Sequence, residues 1–256
     1  MAVLLFDLDG TLADTNPDLH EAMNHILGQH GLAPLPQDKV RHLIGGGAAM
    51  ILQRGFAEHG VTLSDTDMAA ATEEFVLWYD KNIDHGTRIF DNLMPILDRA
   101  RAQKIKMGVV TNKREGLAAK LLFRLNLQGY FDVLIGGDTL ATRKPEPDML
   151  HSAMTKLGGT PQDTVLLGDS EADTGAAHAA GVKCVCVSFG YRRVPIVELG
   201  ADAIIDDYAE LPKTLDRLMP GVFAGLLADL KLTFSDATPD TISVSPPNSP
   251  RKTGEK

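Results

Sequence analysis

The chain has 256 residues and carries 34 acidic against 25 basic side chains, which gives a formal net charge of −9. Hydrophobic residues make up 44% and charged residues 23%, values that are ordinary for a globular protein and that exclude a collagen-like or wholly disordered chain. Because a phosphate backbone is bound by clustered lysine and arginine, the acidic balance predicts no nucleic-acid partner. No segment approaches the roughly 20 apolar residues of a transmembrane helix, so we also predict no membrane partner.

The first predicted element is a buried strand over Val3–Phe6, followed by the motif Asp7-Leu8-Asp9-Gly10-Thr11. Asp7 and Asp9 are two residues apart at the end of a strand, so their side chains can face the same way. Two carboxylates this close resist ionising together, and Mg²⁺, which prefers carboxylate oxygens, removes that difficulty. The motif therefore predicts that Asp7 attacks phosphorus and that Asp9 moves a proton to the leaving oxygen. Taken alone, the pair fits a strand that ends in an ordinary Asp-Gly turn equally well.

The next predicted strand, 107–110, begins about a hundred residues later, and this interval is far longer than a single crossover helix needs. Most of the interval has apolar residues at helical spacings of three and four. The predicted helices are 18–29, 48–59 and 65–84. We therefore predict a helical cap domain over 16–86, inserted into a core domain formed by 1–15 and 87–234.

After the cap, short apolar runs alternate with helical stretches, and Asp91 or Asn92 is the predicted N-cap of the helix that returns the chain to the core. The runs 133–135, 165–167 and 184–187 are apolar throughout. Such runs are typical of strands buried on both faces in a parallel sheet that is covered by helices, so the sequence predicts an α/β fold. In open α/β sheets the ligand site lies just outside the carboxyl ends of the strands, and we expect the polar residues that follow these strands to form it.

Polar residues suited to a phosphate ester recur in three further segments. Thr111-Asn112 follows the second strand and offers a hydroxyl and amides to a phosphate oxygen, although such a pair alone is typical of a helix cap. Lys144 stands before a stiffening proline, and its ammonium can offset negative charge at the site, although a lone lysine in a loop is usually a solvated charge. Asp169, at a strand end, is the candidate for a third metal carboxylate. Asp173, one turn into the next helix, can hold Lys144 or a metal-bound water, or can simply be an acid favoured near a helix N-terminus.

Together these segments resemble the haloacid-dehalogenase superfamily of aspartate-nucleophile phosphatases. The matching motifs, in the order of the superfamily, are Asp7-x-Asp9-Gly10-Thr11, Thr111-Asn112, Lys144-Pro145 and Gly168-Asp169-x-x-x-Asp173. The resemblance implies a Rossmann-like parallel sheet core with a helical cap inserted after the first strand. It also implies Asp7 as nucleophile, Asp9 as acid/base, Thr111 and Lys144 as phosphate-binding residues, and Mg²⁺ on Asp7, the Asp9 backbone carbonyl and Asp169.

A narrower resemblance indicates the phosphoglycolate phosphatase branch. Its motifs here are Val40-Arg41-x-x-Ile44-Gly45-x-Gly47-Ala48, Thr111-Asn112-Lys113, Gly136-Gly137-Asp138 and Gly190-Tyr191-Arg192. The glycines at 45–47 can bring backbone amides close to a small ligand. Arg41 or Arg54 can meet a substrate carboxylate, with a helix-surface charge as the alternative for both. We therefore expect hydrolysis of a small phosphorylated metabolite, 2-phosphoglycolate, through an aspartyl-phosphate intermediate.

The same motifs leave two alternatives open. A sugar-phosphate phosphatase or phosphomutase would use the same aspartyl phosphate, and a mutase would return the phosphoryl group to the sugar. A non-catalytic binding protein could keep the fold, but it has no need for Asp7, Asp9, Lys144 and Asp169 together.

The remaining predictions concern the cellular location, the C-terminal residues and the oligomeric state. Cys184 and Cys186 would share one face of a strand and stay unpaired, which favours a reducing cytoplasm. The first residues lack the basic stretch of a secretion signal. Residues 235–256 are rich in proline, serine and threonine and lack aromatic side chains, which predicts a disordered tail. The oligomeric state stays open between monomer and homodimer.

Overall fold

Residues 2–226 are described by the computed structural model, and they form a six-stranded parallel sheet with helices on both faces. In chain order the strands are β1 (Val3–Phe6), β2 (Ala13–Asp14), β3 (Arg88–Ile89), β4 (Lys106–Val110), β5 (Val133–Ile135), β6 (Thr164–Gly168), β7 (Lys183–Val187) and β8 (Ala203–Ile205). The sheet has the order β5-β4-β1-β6-β7-β8, while β2 pairs with β3 as a separate antiparallel ribbon. The predicted α/β fold with a Rossmann-like parallel sheet is confirmed.

The helices include all three that the periodicity predicts between β1 and β4. In chain order the α-helices are α1 (Asn16–Gln29), α2 (Gln37–Arg41), α3 (Ala48–Ala57), α4 (Asp65–Lys81), α5 (Leu93–Ala102), α6 (Glu115–Arg124), α7 (Asp148–Leu157), α8 (Glu171–Ala180) and α9 (Leu211–Leu218). The sequence does not predict α2, because its five residues bury only Val40 and show no periodic pattern. It does not predict β8 either, since this three-residue edge strand leaves Ile204 exposed.

Side chains alternate across β1 and join two hydrophobic clusters. Leu4 and Phe6 belong to the larger cluster, which continues through α5 and α6 and into α1, α3 and α4. Val3 and Leu5 belong to the cluster on the opposite face, together with residues of α7 and α8. Since burying a valine, leucine or phenylalanine side chain contributes about 1.5–3 kcal/mol, a strand covered on both faces needs apolar residues at every position. This requirement explains the continuous apolar runs of the sequence.

The helices α1 to α4, which we call the cap helices, lie between β2 and β3 in the chain. They pack on one another. Asp18, buried near the start of α1, fastens the segment that leaves the sheet to the segment that returns to it. Its carboxylate accepts hydrogen bonds from the backbone nitrogens of Gly86 and Thr87 at 2.6 and 2.9 Å and from Thr87 Oγ1 at 2.6 Å. The domain boundaries, 16–86 for the cap with 1–15 and 87–234 for the core, stay a prediction.

Asn92 stands at the N-cap position of α5, as predicted, but its side chain does not cap the helix. Its backbone is left-handed, with φ of 59°, and its Nδ2 donates to both carboxylate oxygens of Asp207 at 2.9 Å. The start of α5 is therefore fastened to the segment before α9, a contact that local sequence does not reveal.

Some predictions fall outside the described part of the chain. The structure does not describe the end of the predicted core, 227–234, or the predicted disordered tail, 235–256.

Within 2–226, no helix combines the length and the apolar character needed to cross a bilayer. Cys184 and Cys186 are buried free thiols in the same cluster, as predicted from their spacing.

Candidate active site

The carboxyl ends of three neighbouring strands bring the predicted polar residues together. Asp7 follows β1, Thr111 follows β4 and Asp169 follows β6. β1 is hydrogen-bonded in parallel to β4 on one side and to β6 on the other. Parallel strands end at the same edge of a sheet, so three residues that are far apart in sequence become neighbours in space.

Lys144 reaches this edge from the loop between β5 and α7. Its Nζ lies 2.6 Å from Oδ1 of Asp173 and 3.1 Å from Oδ1 of Asp7, and its side chain is only 1% exposed. The ammonium therefore lies between two carboxylates, one of them on the proposed nucleophile. The expectation that Asp173 holds Lys144 agrees with this geometry.

Asn112 acts on the site through Lys144. Its Nδ2 donates to the backbone oxygen of Lys144 at 2.9 Å, and its Oδ1 accepts from the backbone nitrogen of Lys144 at 3.0 Å. Although Asn112 borders the cavity, these two bonds engage its side-chain amide. The structure thus places it as a support of the Lys144 loop, and the expected contact with substrate stays a prediction.

Asp169 is enclosed by two glycines and oriented by two donors. Thr11 donates from Oγ1 to Asp169 Oδ1 at 3.2 Å, and the backbone nitrogen of Tyr191 donates to Asp169 Oδ2. A Cβ atom on Gly10, whose φ is +82°, would lie 2.3 Å from Asp169 Oδ2, and one on Gly190 would lie 2.2 Å from Asp169 Cβ. Only residues without a side chain fit at these two positions, which explains the glycines in both motifs.

Burial and mutual repulsion raise the pKa values of the carboxyl groups in this cluster. Burial raises the pKa of Asp7 to about 6, with Lys144 opposing the rise and Asp173 and Asp9 adding to it. Burial also raises the pKa of Asp169 well above its ordinary value, and the charges of Asp173 and Asp7 raise it further. Burial alone lowers the pKa of Lys144, but Asp173 and Asp7 outweigh burial and the pKa is raised. The raised pKa values thus reflect three largely buried carboxyl groups that face a single ammonium.

The cluster fits a divalent cation. Asp7, Asp169 and Asp173 each offer a carboxylate oxygen, and these oxygens lie within 4.8 Å of one another. An all-oxygen donor set of this kind suits Mg²⁺. Asp173 has the most partners of the three, because Oδ1 contacts the Lys144 ammonium and Oδ2 accepts from the backbone nitrogen and the hydroxyl of Ser170 at 3.1 and 2.7 Å. Asp169 has one donor on each oxygen and Asp7 contacts Lys144, so Asp7 and Asp169 are the better candidates to hold a metal.

Asp9 has partners that the sequence analysis did not assign. Lys113 Nζ lies 2.7 Å from Oδ1 and 2.9 Å from Oδ2 of Asp9, and Thr15 Oγ1 donates to Asp9 Oδ1 at 2.8 Å. Lys113 directly follows Thr111-Asn112, and from this adjacency the sequence could have indicated that Lys113 lies near the site. Thr15 follows the Asp7 motif without any pattern that marks it.

The strand ends face a cavity of about 390 Å³ that the cap helices border. Asp7, Asp9 and Thr111 line it on the sheet side, and Tyr79 of α4 lines it on the cap side. Gly45 also lines it, with a φ of +114°, in a glycine run that approaches the core loops. Thr111 and Gly45 are therefore placed where the sequence analysis expects them.

Arg41 and Arg54 do not border this cavity in the described structure. The guanidinium of Arg41 donates to the backbone oxygens of Phe189 and Gly190, so it fastens α2 to the core. Arg54 donates to the backbone oxygen of Gly45 at 2.8 Å and so supports the glycine run from behind. The structure thus places Arg41 away from the expected substrate contact, because its guanidinium donates hydrogen bonds to backbone carbonyls outside the cavity.

Comparison with known proteins gives the family. The sequence model of the Haloacid dehalogenase-like hydrolase family matches residues 4–187. The chain belongs to the haloacid dehalogenase-like hydrolase family. It is 39% identical over 216 residues to the phosphoglycolate phosphatase of Agrobacterium fabrum, which covers 84% of this chain and 93% of that protein. It is 38% identical to the phosphoglycolate phosphatase of Rhodospirillum rubrum, over 85% of this chain and 92% of that one.

Two solved structures have the same fold as this chain. A predicted phosphoglycolate phosphatase from Haemophilus somnus superimposes with a TM-score of 0.78 at 30% identity, over 84% of this chain and 97% of that one. A mutant of CbbY from Rhodobacter sphaeroides, in complex with xylulose-(1,5)bisphosphate, superimposes with a TM-score of 0.70 at 26% identity, over 82% of this chain and 96% of that one. The resemblance inferred from the motifs, including that to the phosphoglycolate phosphatase branch, is confirmed.

Proposed function

We propose that this hydrolase is a Mg²⁺-dependent phosphatase that converts 2-phosphoglycolate to glycolate and phosphate. The main support for this proposal is the position of Asp7. Its carboxylate lies at the end of β1, next to Lys144 and Asp169, and borders the cavity. The relatives named phosphoglycolate phosphatase, which match the chain over nearly their whole length, support the choice of substrate. A cavity of about 390 Å³ is ample for so small an ester.

In this mechanism Asp7 attacks the phosphorus in line with the ester oxygen. The bond from phosphorus to the ester oxygen breaks, and Asp9 gives that oxygen a proton, so that glycolate leaves and Asp7 carries the phosphoryl group. Asp9 then takes a proton from water as the water attacks the phosphorus, which releases phosphate and restores Asp7. The cap helices exclude bulk water during the reaction.

The other proposed residues hold the phosphoryl group. Thr111 offers its hydroxyl and Lys144 its ammonium to the phosphoryl oxygens, and Asp173 and Asn112 keep Lys144 in position. Asp7, Asp169 and the backbone carbonyl of Asp9 are the proposed holders of Mg²⁺. When bound, the ion would offset the charge of the carboxylates and the phosphoryl oxygens.

A panel of phosphate esters, assayed with Mg²⁺ and with EDTA, tests the proposal. We expect 2-phosphoglycolate to be hydrolysed fastest and EDTA to abolish turnover. Asp7→Asn should abolish turnover while circular dichroism shows a native fold, because the amide has the shape of the carboxylate but is not a nucleophile. Wild-type turnover rates in Asp7→Asn would exclude Asp7 as the nucleophile.

The likeness to the xylulose-bisphosphate complex favours a second candidate, a sugar-phosphate phosphatase or phosphomutase. A hexose 1-phosphate included in the same panel separates the two reactions. Free phosphate indicates hydrolysis, and an isomerised sugar phosphate indicates a mutase. No turnover of any ester would favour the non-catalytic binding protein. The cytoplasmic location and the choice between monomer and homodimer stay predictions.

A further inference from the structure

Lys113 is a buried cation that the mechanism above does not use. Its side chain is 5% exposed, and its ammonium contacts both carboxylate oxygens of Asp9. The same ammonium lies over the ring of Tyr79, 4.5 Å from the ring centre. All three residues line the cavity. Lys113 therefore connects the acid/base of the core to cap helix α4 at the cavity wall.

The contact between Lys113 and Asp9 competes with the chemistry assigned to Asp9. Thr15 also donates to Asp9, so Oδ1 has two donors and Oδ2 has one before any substrate enters. Delivery of a proton requires a carboxylate oxygen of Asp9 in contact with the ester oxygen. The ammonium must therefore give way, and because an unpaired buried charge is costly, it needs another anion to move to.

The other cations that line the cavity are engaged elsewhere. Lys144 contacts two carboxylates of the proposed phosphate site. Arg114 forms an ion pair with Glu73 at the surface, and the exposed Arg143 donates to a backbone oxygen of the glycine run. Among the described residues that border the cavity, Lys113 is the buried cation that remains for a second negative group on the substrate.

Tyr79 can stabilise the ammonium while it exchanges Asp9 for another anion. A cation over an aromatic ring is stabilised by the electron-rich face of the ring, and more strongly where water is excluded. Tyr79 is 1% exposed, and its hydroxyl has no hydrogen-bond partner among the described residues. The cap helices thus contribute a ring for the ammonium at the cavity wall.

We propose that Lys113 selects phosphate esters with a carboxylate on the carbon that bears the ester oxygen, by exchanging Asp9 for that carboxylate. This inference rests on the proposed phosphatase function and names its specificity residue. In such an ester the carboxylate lies one carbon away from the oxygen that Asp9 must contact. An ammonium that reaches both oxygens of Asp9 therefore reaches this carboxylate too. The exchange binds the substrate and frees Asp9 in one movement.

Two esters that differ only at the recognised group test the inference. 2-Phosphoglycolate carries the carboxylate, and ethyl phosphate has a methyl group in its place. Both are assayed with Mg²⁺ for wild type, Lys113→Met, which keeps the length of the side chain without its charge, and Lys113→Arg, which keeps the charge. Lys106→Met is the matched control, because it removes a Lys–Asp ion pair of 2.9 Å at the opposite end of β4. Thermal unfolding confirms that each variant folds.

We expect the loss of a charge-assisted contact in Lys113→Met to lower kcat/KM for 2-phosphoglycolate about 100-fold, with a rise in KM. The same variant should not lower kcat/KM for ethyl phosphate, because that ester has no carboxylate to draw the ammonium away from Asp9 and the substitution removes the ammonium altogether. Lys113→Arg should retain a preference for the carboxylate, and Lys106→Met should match wild type. An equal loss on both esters, or no loss on either, would overturn the inference. Wild-type turnover of ethyl phosphate without preference for 2-phosphoglycolate would overturn it and leave the phosphatase assignment standing. No turnover of either ester by wild type would overturn the proposed function and this inference with it.

Discussion

Lys144 and Asp173 form a buried ion pair, with Nζ 2.6 Å from Oδ1 and neither side chain more than 1% exposed. The other oxygen of Asp173 accepts from the backbone nitrogens of Asp169 and Ser170 at 3.2 and 3.1 Å. The first turn of α8 therefore sets where the ammonium of Lys144 lies. Since Lys144 also contacts Asp7, the N-terminus of this helix controls the surroundings of the proposed nucleophile.

Asp173→Asn should destabilise the protein and lower turnover. It leaves the buried ammonium of Lys144 with less negative charge, and breaking a buried pair in this way costs about 3–5 kcal/mol. Urea unfolding measures the loss. Asp202→Asn is the control, because Asp202 pairs with Lys183, whose side chain is 49% exposed, and should change the unfolding free energy by less than about 1 kcal/mol. Equal effects of the two substitutions would contradict the role assigned to Asp173.

The stability of the metal-free protein should depend on the protonation of Asp7. Its pKa in the folded state is raised to about 6 from an ordinary 3.8, with Lys144, Asp173 and Asp9 as its charged neighbours. The folded state therefore binds this proton more tightly than the unfolded state does. The stabilisation is present below about pH 4 and is lost as the pH rises through about 6, an effect on the order of 3 kcal/mol.

Asp7→Asn cannot titrate at this position, so the difference between wild type and variant isolates the effect. Urea unfolding in EDTA should show the wild type losing stability relative to Asp7→Asn between about pH 4 and 7. Saturating Mg²⁺ should remove this loss. A difference that does not change with pH in EDTA would contradict the raised pKa.

Mg²⁺ should stabilise the protein against thermal unfolding, because an ion that binds only the folded state adds about 2.7 kcal/mol at a concentration 100 times its dissociation constant. Asp169→Asn should lose most of this shift together with activity, since Asp169 belongs to the carboxylate cluster that fits the ion. Differential scanning fluorimetry with Mg²⁺ or EDTA measures it. Asp132→Asn, which alters a partly exposed carboxylate paired with Lys106, should keep the full shift. A full shift in Asp169→Asn would place the ion elsewhere.

Gly10→Ala should lower turnover at least about 100-fold, because displacing a site residue by about 1 Å has effects of this size. The added Cβ would lie 2.3 Å from Oδ2 of Asp169. Gly60→Ala is the matched control, since Gly60 also has a positive φ, +68°, but nothing lies within 4 Å of its added Cβ. The control should cost about 1–2 kcal/mol from backbone strain alone and leave turnover unchanged. Wild-type turnover in Gly10→Ala would show that Asp169 can move without harm.

Arg41→Met should leave substrate selectivity unchanged, because the guanidinium of Arg41 contacts backbone oxygens outside the cavity. We expect a loss of stability of about 1–2 kcal/mol from the missing hydrogen bonds. The ratio of kcat/KM for 2-phosphoglycolate to that for ethyl phosphate is the measurement. A collapse of this ratio in Arg41→Met would assign carboxylate binding to Arg41.

The sequence by itself determined the fold class and most of the residues at the strand ends. Runs such as Val3–Phe6 are apolar at every position because parallel strands are buried on both faces, so they are visible without a structure. Asp7, Thr111 and Asp169 were predicted for a related reason, since ligand sites in such sheets follow the strands. The short elements α2 and β8 were not predicted, because each buries too few residues to leave a pattern.

Only the tertiary structure decided which charges meet. Arg41 and Lys113 both belong to motifs of the chain, but Arg41 fastens α2 to the loop after β7, and Lys113 contacts Asp9 inside the cavity. A lysine or arginine side chain is long and flexible, so it can reach oxygens of residues that are far away in sequence. The oxygens that it contacts depend on how the folded backbone places them. The motifs therefore identify the proposed reaction, whereas the packing of α4 and α2 on the core decides which cation lies where the substrate would bind.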